Sequence, residues 1–318
     1  MATASPPSGS LPLGKVLAST EKKTRDKAIK NLSVFLSQSG ENAISKADMD
    51  KLWKGIFYCF WMSDKPLVQQ GLASELAELV LSIPSNTESL SFLRGFWTSM
   101  VREWNGIDRF RMDKYYMLVR RFVNASFRLL VRSKWDSDIV TEYVTILTQS
   151  GGPLCPIDVK IPTSLSAHVA DVYLEELDKV LAANAAKEEQ LPCPLLLAVE
   201  PFFTQAAQTT SKLTFKRIES CVWEPLIDAF STEAEDVEDE RPRKRTRLHQ
   251  DTPLAAIKKN SCLRNPASEK PLPSSELLKH LRRSFFDVAS RPDTLDSSRR
   301  KLYALYKAGD ADSDEEEV

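Results

Sequence analysis

The residues in this chain best suited to chemistry are cations. Arg241, Arg243, Lys244, Arg245 and Arg247 crowd together directly after an acidic block, Glu233 to Glu240. An extended run of this kind fits the groove of a nuclear import receptor or a nucleic-acid backbone; it also serves as a solvated counter-block to the acids before it. A second set is spaced for a helix. Between positions 109 and 134 the cations Arg109, Arg111, Lys114, Arg120, Arg121, Arg128, Arg132 and Lys134 meet a single acid, Asp113. At about 100° per residue, Lys114, Arg121, Arg128 and Arg132 fall within about 40° of one another. They flank an apolar face of Tyr115, Val119, Phe122, Val123, Leu129 and Leu130. Such a stripe can neutralise phosphates of a structured RNA, or pair with acids of a protein partner or of neighbouring helices. In the acidic tail, Asp310 to Glu317, Ser313 precedes Asp314, Glu315 and Glu316. That pattern suits an acidophilic kinase, whose phosphate would add roughly −1.5 to −2 charge; a purely solubilising tail has the same composition.

Catalysis and metal binding leave little trace. His168, His249 and His280 have no second His or Cys at ligand spacing. Cys59, Cys155, Cys193, Cys221 and Cys262 are scattered and form no CxxC pair. They are expected to be buried or idle thiols, in neither a disulfide framework nor a zinc site. There is no P-loop, GxGxxG or GxSxG. The expectation is a protein that is not an enzyme, with no catalytic residue, cofactor, metal or small-molecule substrate. A nuclease built from dispersed carboxylates is the enzymatic reading left open. No stretch approaches the ~18 apolar residues of a membrane span, and Met1 to Gly14, rich in Ser and Pro, lacks the apolar core of a secretory signal. These features point to the cytosol or nucleus and away from the membrane. The formal net charge of −1 hides the local charge blocks.

The cations need elements to hold them, and the periodicity from Lys15 to about Phe230 is helical. Val68, Leu72, Leu76, Leu79, Val80 and Ile83 share one face of a helix over 65–83, with Pro66 in its first turn and Pro84 beyond its end. Ser85 and Glu88 have capping-box spacing and precede a stripe of Leu93, Phe96, Trp97, Met100, Val101 and Trp104. Asn105-Gly106 stops that helix and Asp108 can cap the basic one. Helices joined by such short turns pack as antiparallel neighbours. Trp53 and Trp61, then Trp97 and Trp104, recur at an offset matching the ~40–47 residues of HEAT-type pairs; an irregular bundle is the other reading. Gly151-Gly152-Pro153 and Pro156 mark a loop, after which helices are predicted over 165–181, 194–208 and 213–230. The fold class expected is all-α: antiparallel helix pairs in an irregular HEAT-like superhelix. Its parts are a disordered N-terminus (1–14), a helical body (15–230), a disordered charged linker (231–273), C-terminal helices that dock on the body or a partner (274–307) and the acidic tail (308–318).

The segment Leu52-Trp-Lys-Gly-Ile-Phe-Tyr-Cys-Phe-Trp-Met-Ser-Asp-Lys-Pro66 resembles the ribosomal RNA processing protein 1 family, which includes a nucleolar protein of the Nop type. So do Phe96-Trp97, Arg102-Glu-Trp-Asn-Gly-Ile-Asp-Arg-Phe-Arg-Met-Asp-Lys-Tyr-Tyr116, Gly151–Pro153, Ile161-Pro-Thr-Ser-Leu-Ser-Ala-His168 and Arg299-Arg-Lys-Leu-Tyr-Ala-Leu-Tyr306. The resemblance implies a non-catalytic nucleolar assembly factor of the large (60S) ribosomal subunit. Such a factor sits on early precursor particles, among rRNA and ribosomal proteins, and is required for processing towards 5.8S and 25S/28S rRNA. It also implies Brix-domain, Mak-type and β-propeller factors as neighbours. It supplies no catalytic residues, and the short C-terminal region suits a fungal-type member. The alternative from the residues alone is a nuclear transport adaptor, since helical superhelices serve there too.

Overall fold

The computed structural model describes residues 13–38, 44–185, 191–231 and 253–308. Among the described residues the fold is all-α apart from one two-residue strand pairing, and the chain divides into two compact units, Met1–Leu129 and Leu130–Val318. The basic run Arg241–Arg247 and Ser313 lie outside the described residues.

The first unit holds α1 (Leu13–Leu17), α2 (Lys22–Gln38), α3 (Lys46–Trp61), α4 (Pro66–Ser82), α5 (Asn86–Glu103) and most of α6 (Met112–Arg132). Side chains start α3, α5 and α6 by accepting hydrogen bonds from orphan amides. Ser45 accepts from Asp48 N at 3.2 Å, and Ser85 accepts from Glu88 N at 3.3 Å. Asp108 accepts from Phe110 N and Arg111 N at 3.0 and 3.1 Å. Helices pack two apart as well as in sequence: α1 on α3, α2 on α4, α3 on α5. That is the arrangement of stacked helical pairs, in which each layer buries the face its neighbour leaves open. The core centres on Trp53, whose ring lies 4.6 Å from Phe92 and 5.7 Å from Phe122, while Phe96 stacks on Phe122 at 3.7 Å. The Trp53 indole N–H donates to Phe92 O at 3.0 Å, so this large side chain is buried with its one polar atom satisfied. Gly95 makes room for it: a Cβ there would stand 2.3 Å from the indole.

The second unit begins within the last turn of α6, at Leu130. Lys134 N bonds to Val131 O and Trp135 N to Leu130 O, both at 2.9 Å, with Lys134 and Trp135 in left-handed conformations. This closes the helix as a Schellman motif, without the usual glycine, by burying Trp135. There follow α7 (Ser137–Thr148), α8 (Thr163–Asn184), α9 (Leu195–Gln208) and α10 (Lys212–Ile218). A π-helical turn over Glu219–Trp223 leads into α11 (Glu224–Ser231). Gly151 and Gly152 are both required at the α7–α8 turn. Gly151 has φ 86°, and a Cβ on Gly152 would meet Ile146 O at 2.2 Å.

The linker expected over 231–273 is ordered from residue 253 onward, a correction to the composition-based reading. Ala255–Lys259 forms α12, and Ser261–Cys262 (β2) pairs in parallel with Cys193–Pro194 (β1). The order comes from distant partners. Asp178 of α8 accepts from Ala256 N and Ile257 N, both at 2.9 Å, and Ile257 and Cys262 are buried. Glu269 accepts from Leu263 N, Arg264 N and Asn265 N. The last helices, α13 (Ser274–Ala289) and α14 (Asp296–Ala308), then pack in cis: α13 lies on α9 and α11, with Phe285 5.5 Å from Phe203 and 5.2 Å from Trp223.

Candidate nucleic-acid interface

The basic helix is α6, and its apolar face is buried as the spacing requires, from Tyr115 through Leu130. Its cations separate into two groups. Lys114 is not on the surface. It is 5% exposed, and its Nζ donates to Trp61 O and Ser63 O, both at 2.7 Å. The intervening carbonyl, Met62 O, accepts from Arg25 at 3.3 Å. The C-terminal end of α3 is thus closed by two cations from other helices, which satisfy orphan carbonyls and oppose the negative end of the helix dipole. Burial pushes the Lys114 ammonium down to about 8, with the neighbouring Arg111 adding to the fall and Asp64 and Asp108 opposing it. Lys114 therefore cannot join a phosphate-binding stripe, which corrects the expectation for that residue.

Arg111 is also engaged, ion-paired with Asp108 and lying 4.6 Å from the Trp61 ring. Arg128 reaches across to Glu78 of α4 with two contacts, one of 3.1 Å, and both side chains remain about half exposed. An exposed pair of this kind contributes little stability, so an incoming phosphate can take the guanidinium over at small cost. Arg121 and Arg132 are exposed. Arg109 is exposed as well and covers the ring of Phe110 at 4.8 Å, leaving that phenyl 82% in solvent. Sequence reading did not single out Phe110. Its signal is an aromatic between two arginines just inside a capping aspartate, where no core face exists to receive it.

Among the described residues no group of three or more His, Cys, Asp or Glu is placed to hold a metal ion. His280 stands 3.9 Å from Glu276 on its own helix, and all five cysteines are free. No described helix is long and apolar enough to cross a membrane.

Two of the segments that carry the resemblance meet here. Residues 52–66 supply the end of α3, and residues 102–116 supply Arg111, Lys114 and Tyr115 against it. Tyr115 stacks on Phe57 at 4.9 Å and donates to Phe57 O at 3.0 Å. The model of the family described as "Nucleolar protein, Nop52" matches residues 8–305. The chain belongs to this family. Ribosomal RNA processing protein 1 homolog B of Homo sapiens is 35% identical over 231 residues, covering 72% of this chain and 29% of the relative. Ribosomal RNA processing protein 1 homolog A of Homo sapiens is 27% identical over 326 residues, covering 93% and 69%. The homologue in Dictyostelium discoideum is 26% identical over 278 residues, covering 82% and 51%. The chain thus spans under a third of the length of the first of these relatives.

For this Nop52-family chain, the resembling segments are largely devices that hold the fold. Ser166 donates to Pro153 O at 2.6 Å, tying the glycine turn to α8. Arg299 donates to Arg291 O at 3.2 Å and Thr294 O at 3.1 Å, bracing the turn between α13 and α14.

Proposed function

We propose that this protein is a non-catalytic nucleolar scaffold of the large-subunit ribosomal precursor, required while the rRNA is processed towards 5.8S and 25S/28S. Membership of the Nop52 family across residues 8–305 is the observation that carries this reading. The relatives are named for ribosomal RNA processing. An all-α body with exposed arginines suits binding, and the mechanism is binding alone. The helical units dock on the precursor particle, order their neighbours and leave cleavage to separate nucleases. Arg121, Arg128 and Arg132 are the α6 cations assigned to rRNA phosphates, and Arg241, Arg243, Lys244, Arg245 and Arg247 are assigned to import. Brix-domain, Mak-type and β-propeller assembly factors are the neighbours this reading expects.

The test is purification of the tagged protein from cells, with precursor rRNA probed in the eluate, together with depletion and measurement of the precursors to 5.8S and 25S/28S rRNA. Large-subunit precursors should co-purify, and unprocessed species should accumulate on depletion. Recovery with import receptors and no precursor rRNA would instead point to a transport adaptor. Metal-dependent cleavage of precursor RNA by the purified protein would make it a nuclease.

A further inference from the structure

The α10 helix of the second unit is a short ridge with a groove on each flank. One groove, about 350 Å³, lies between α8 and α10 and is walled by Ala167, Ala170, Leu213 and Ile218. The other, about 490 Å³, lies between α10 and α14 and includes Phe215, Ala304 and Leu305. Two side chains at the first groove bear on what it can bind. Leu213 stands on the ridge 77% exposed, although it belongs to a helix whose Phe215 and Ile218 are buried. Gln205, at the first groove, is only 4% exposed, yet its side-chain amide makes no hydrogen bond among the described residues. The amide borders the groove, where a polar group of a partner can reach it.

The rim of the ridge is positive. Lys212 and Lys216 rise from α10, and Lys301 of α14 lies 4.2 Å from the Phe215 ring; Glu219 is the acid lining the second groove. Arg217 is already paired with Asp171 at 2.6 Å. We infer that this ridge docks an acidic amphipathic helix of a partner protein, its apolar side chains entering the two grooves and its carboxylates meeting Lys212, Lys216 and Lys301. The spacing agrees. A helix with its side chains is roughly 10 Å across, and residues seven apart on a partner helix are about 10.5 Å apart along its axis, so two apolar residues at i and i+7 straddle the ridge. The Gln205 amide then bonds to a polar group the partner brings into the first groove. RNA fits less well, because bases stack on open aromatic faces. Here the exposed apolar group is a leucine, and Phe215 is buried beneath a lysine.

This inference goes beyond the assembly role, and its test uses the purified full-length chain without any particle. The probe is a displayed library of 18-residue helices with apolar residues fixed at i and i+7 and the remaining positions randomised. Selected peptides should be rich in Asp and Glu. Their affinity should fall at least tenfold on Leu213→Glu, which alters an exposed side chain, and on Ala167→Trp, which fills the first groove. The double variant Lys212→Glu/Lys216→Glu should weaken them and remove the salt dependence of binding. Failure to select any peptide, or peptides that bind Leu213→Glu as tightly as the original chain, would overturn the assignment. So would a 20-nucleotide single-stranded RNA that binds the chain and is lost on the lysine reversals when no peptide is selected.

Discussion

Lys114 shows how far a single residue can depart from its sequence reading. A helical wheel places it beside Arg121 and Arg128, because the wheel knows only the angle of a side chain about its own axis. What captures Lys114 is the end of a different helix, and no periodicity reports where α3 stops against α6. Its shifted ionisation gives a test. In the unfolded chain the ammonium keeps its ordinary value of 10.5, and in the folded chain it lies near 8. Between those values the unfolded state binds more protons, so this group makes the fold more stable as pH rises from about 8 to 10.5. Lys114→Met abolishes that increment. Urea unfolding should therefore show a larger penalty for the variant at pH 9.5 than at pH 7.5; equal penalties would mean that Lys114 titrates as an ordinary surface lysine. Tyr115, raised by burial, acts in the opposite direction only above pH 10. Glycines give a second contrast at this scale. Gly95→Ala drives a methyl into the Trp53 indole and should cost about 1–3 kcal/mol. Gly71→Ala sits on α4 with nothing within 4 Å and should stabilise by up to about 1 kcal/mol. Thermal melts of the two variants moving the same way would contradict the packing described around Trp53.

At the scale of elements, the sequence was legible wherever a signal was local. Capping aspartates and serines, the prolines around α4 and the aromatic stripe of α5 all lie next to the helix they define. Illegible were α12 and the β1–β2 pairing. Their buried residues, among them Ala256, Ile257, Ser261 and Cys262, fall in pieces too short to make a pattern, and their amides are satisfied by Asp178, Glu269 and β1, some of them far along the chain. The α6 prediction changes accordingly. Reversing Lys114 together with the arginines would put a carboxylate against the carbonyls that end α3, so that variant should lose its fold. The triple variant Arg121→Glu, Arg128→Glu and Arg132→Glu alters exposed positions and should keep its circular dichroism and melting temperature. If those arginines meet rRNA, it should leave the precursor particle, and each lost phosphate contact should flatten the log–log salt dependence of RNA binding by roughly 0.7–0.9 units. Retained RNA binding with loss of one protein neighbour would reassign the stripe to a protein contact. Normal particle association with normal processing would remove it from the interface.

For the whole molecule, the composition invites a division near residue 231 that the packing refuses. Everything up to α11 looks like a body, and everything after the charged blocks looks like an appendage. Yet the second unit is completed by the later segment: β2 pairs with β1, α12 lies on α8, and α13 covers Phe203 and Trp223. Burial of Leu277, Leu281, Phe285, Val288 and Leu302 contributes about 1.5–3 kcal/mol for each large side chain, an upper figure because the unfolded chain already buries some of it. The entropic cost of a connection grows only with the logarithm of its length, so the helices gain far more by docking than the connection takes away. A chain shortened to residue 273 should therefore expose the faces of α9 and α11, bind a hydrophobic dye and melt below the full-length protein. A sharper experiment leaves every residue present. With a protease site inserted between residues 232 and 240, cleavage should yield two fragments that still co-elute in size-exclusion chromatography, and they should separate only in denaturant. Fragments that part in plain buffer would show that α13 and α14 are held by the chain alone and that the second unit ends at α11, as the composition has it.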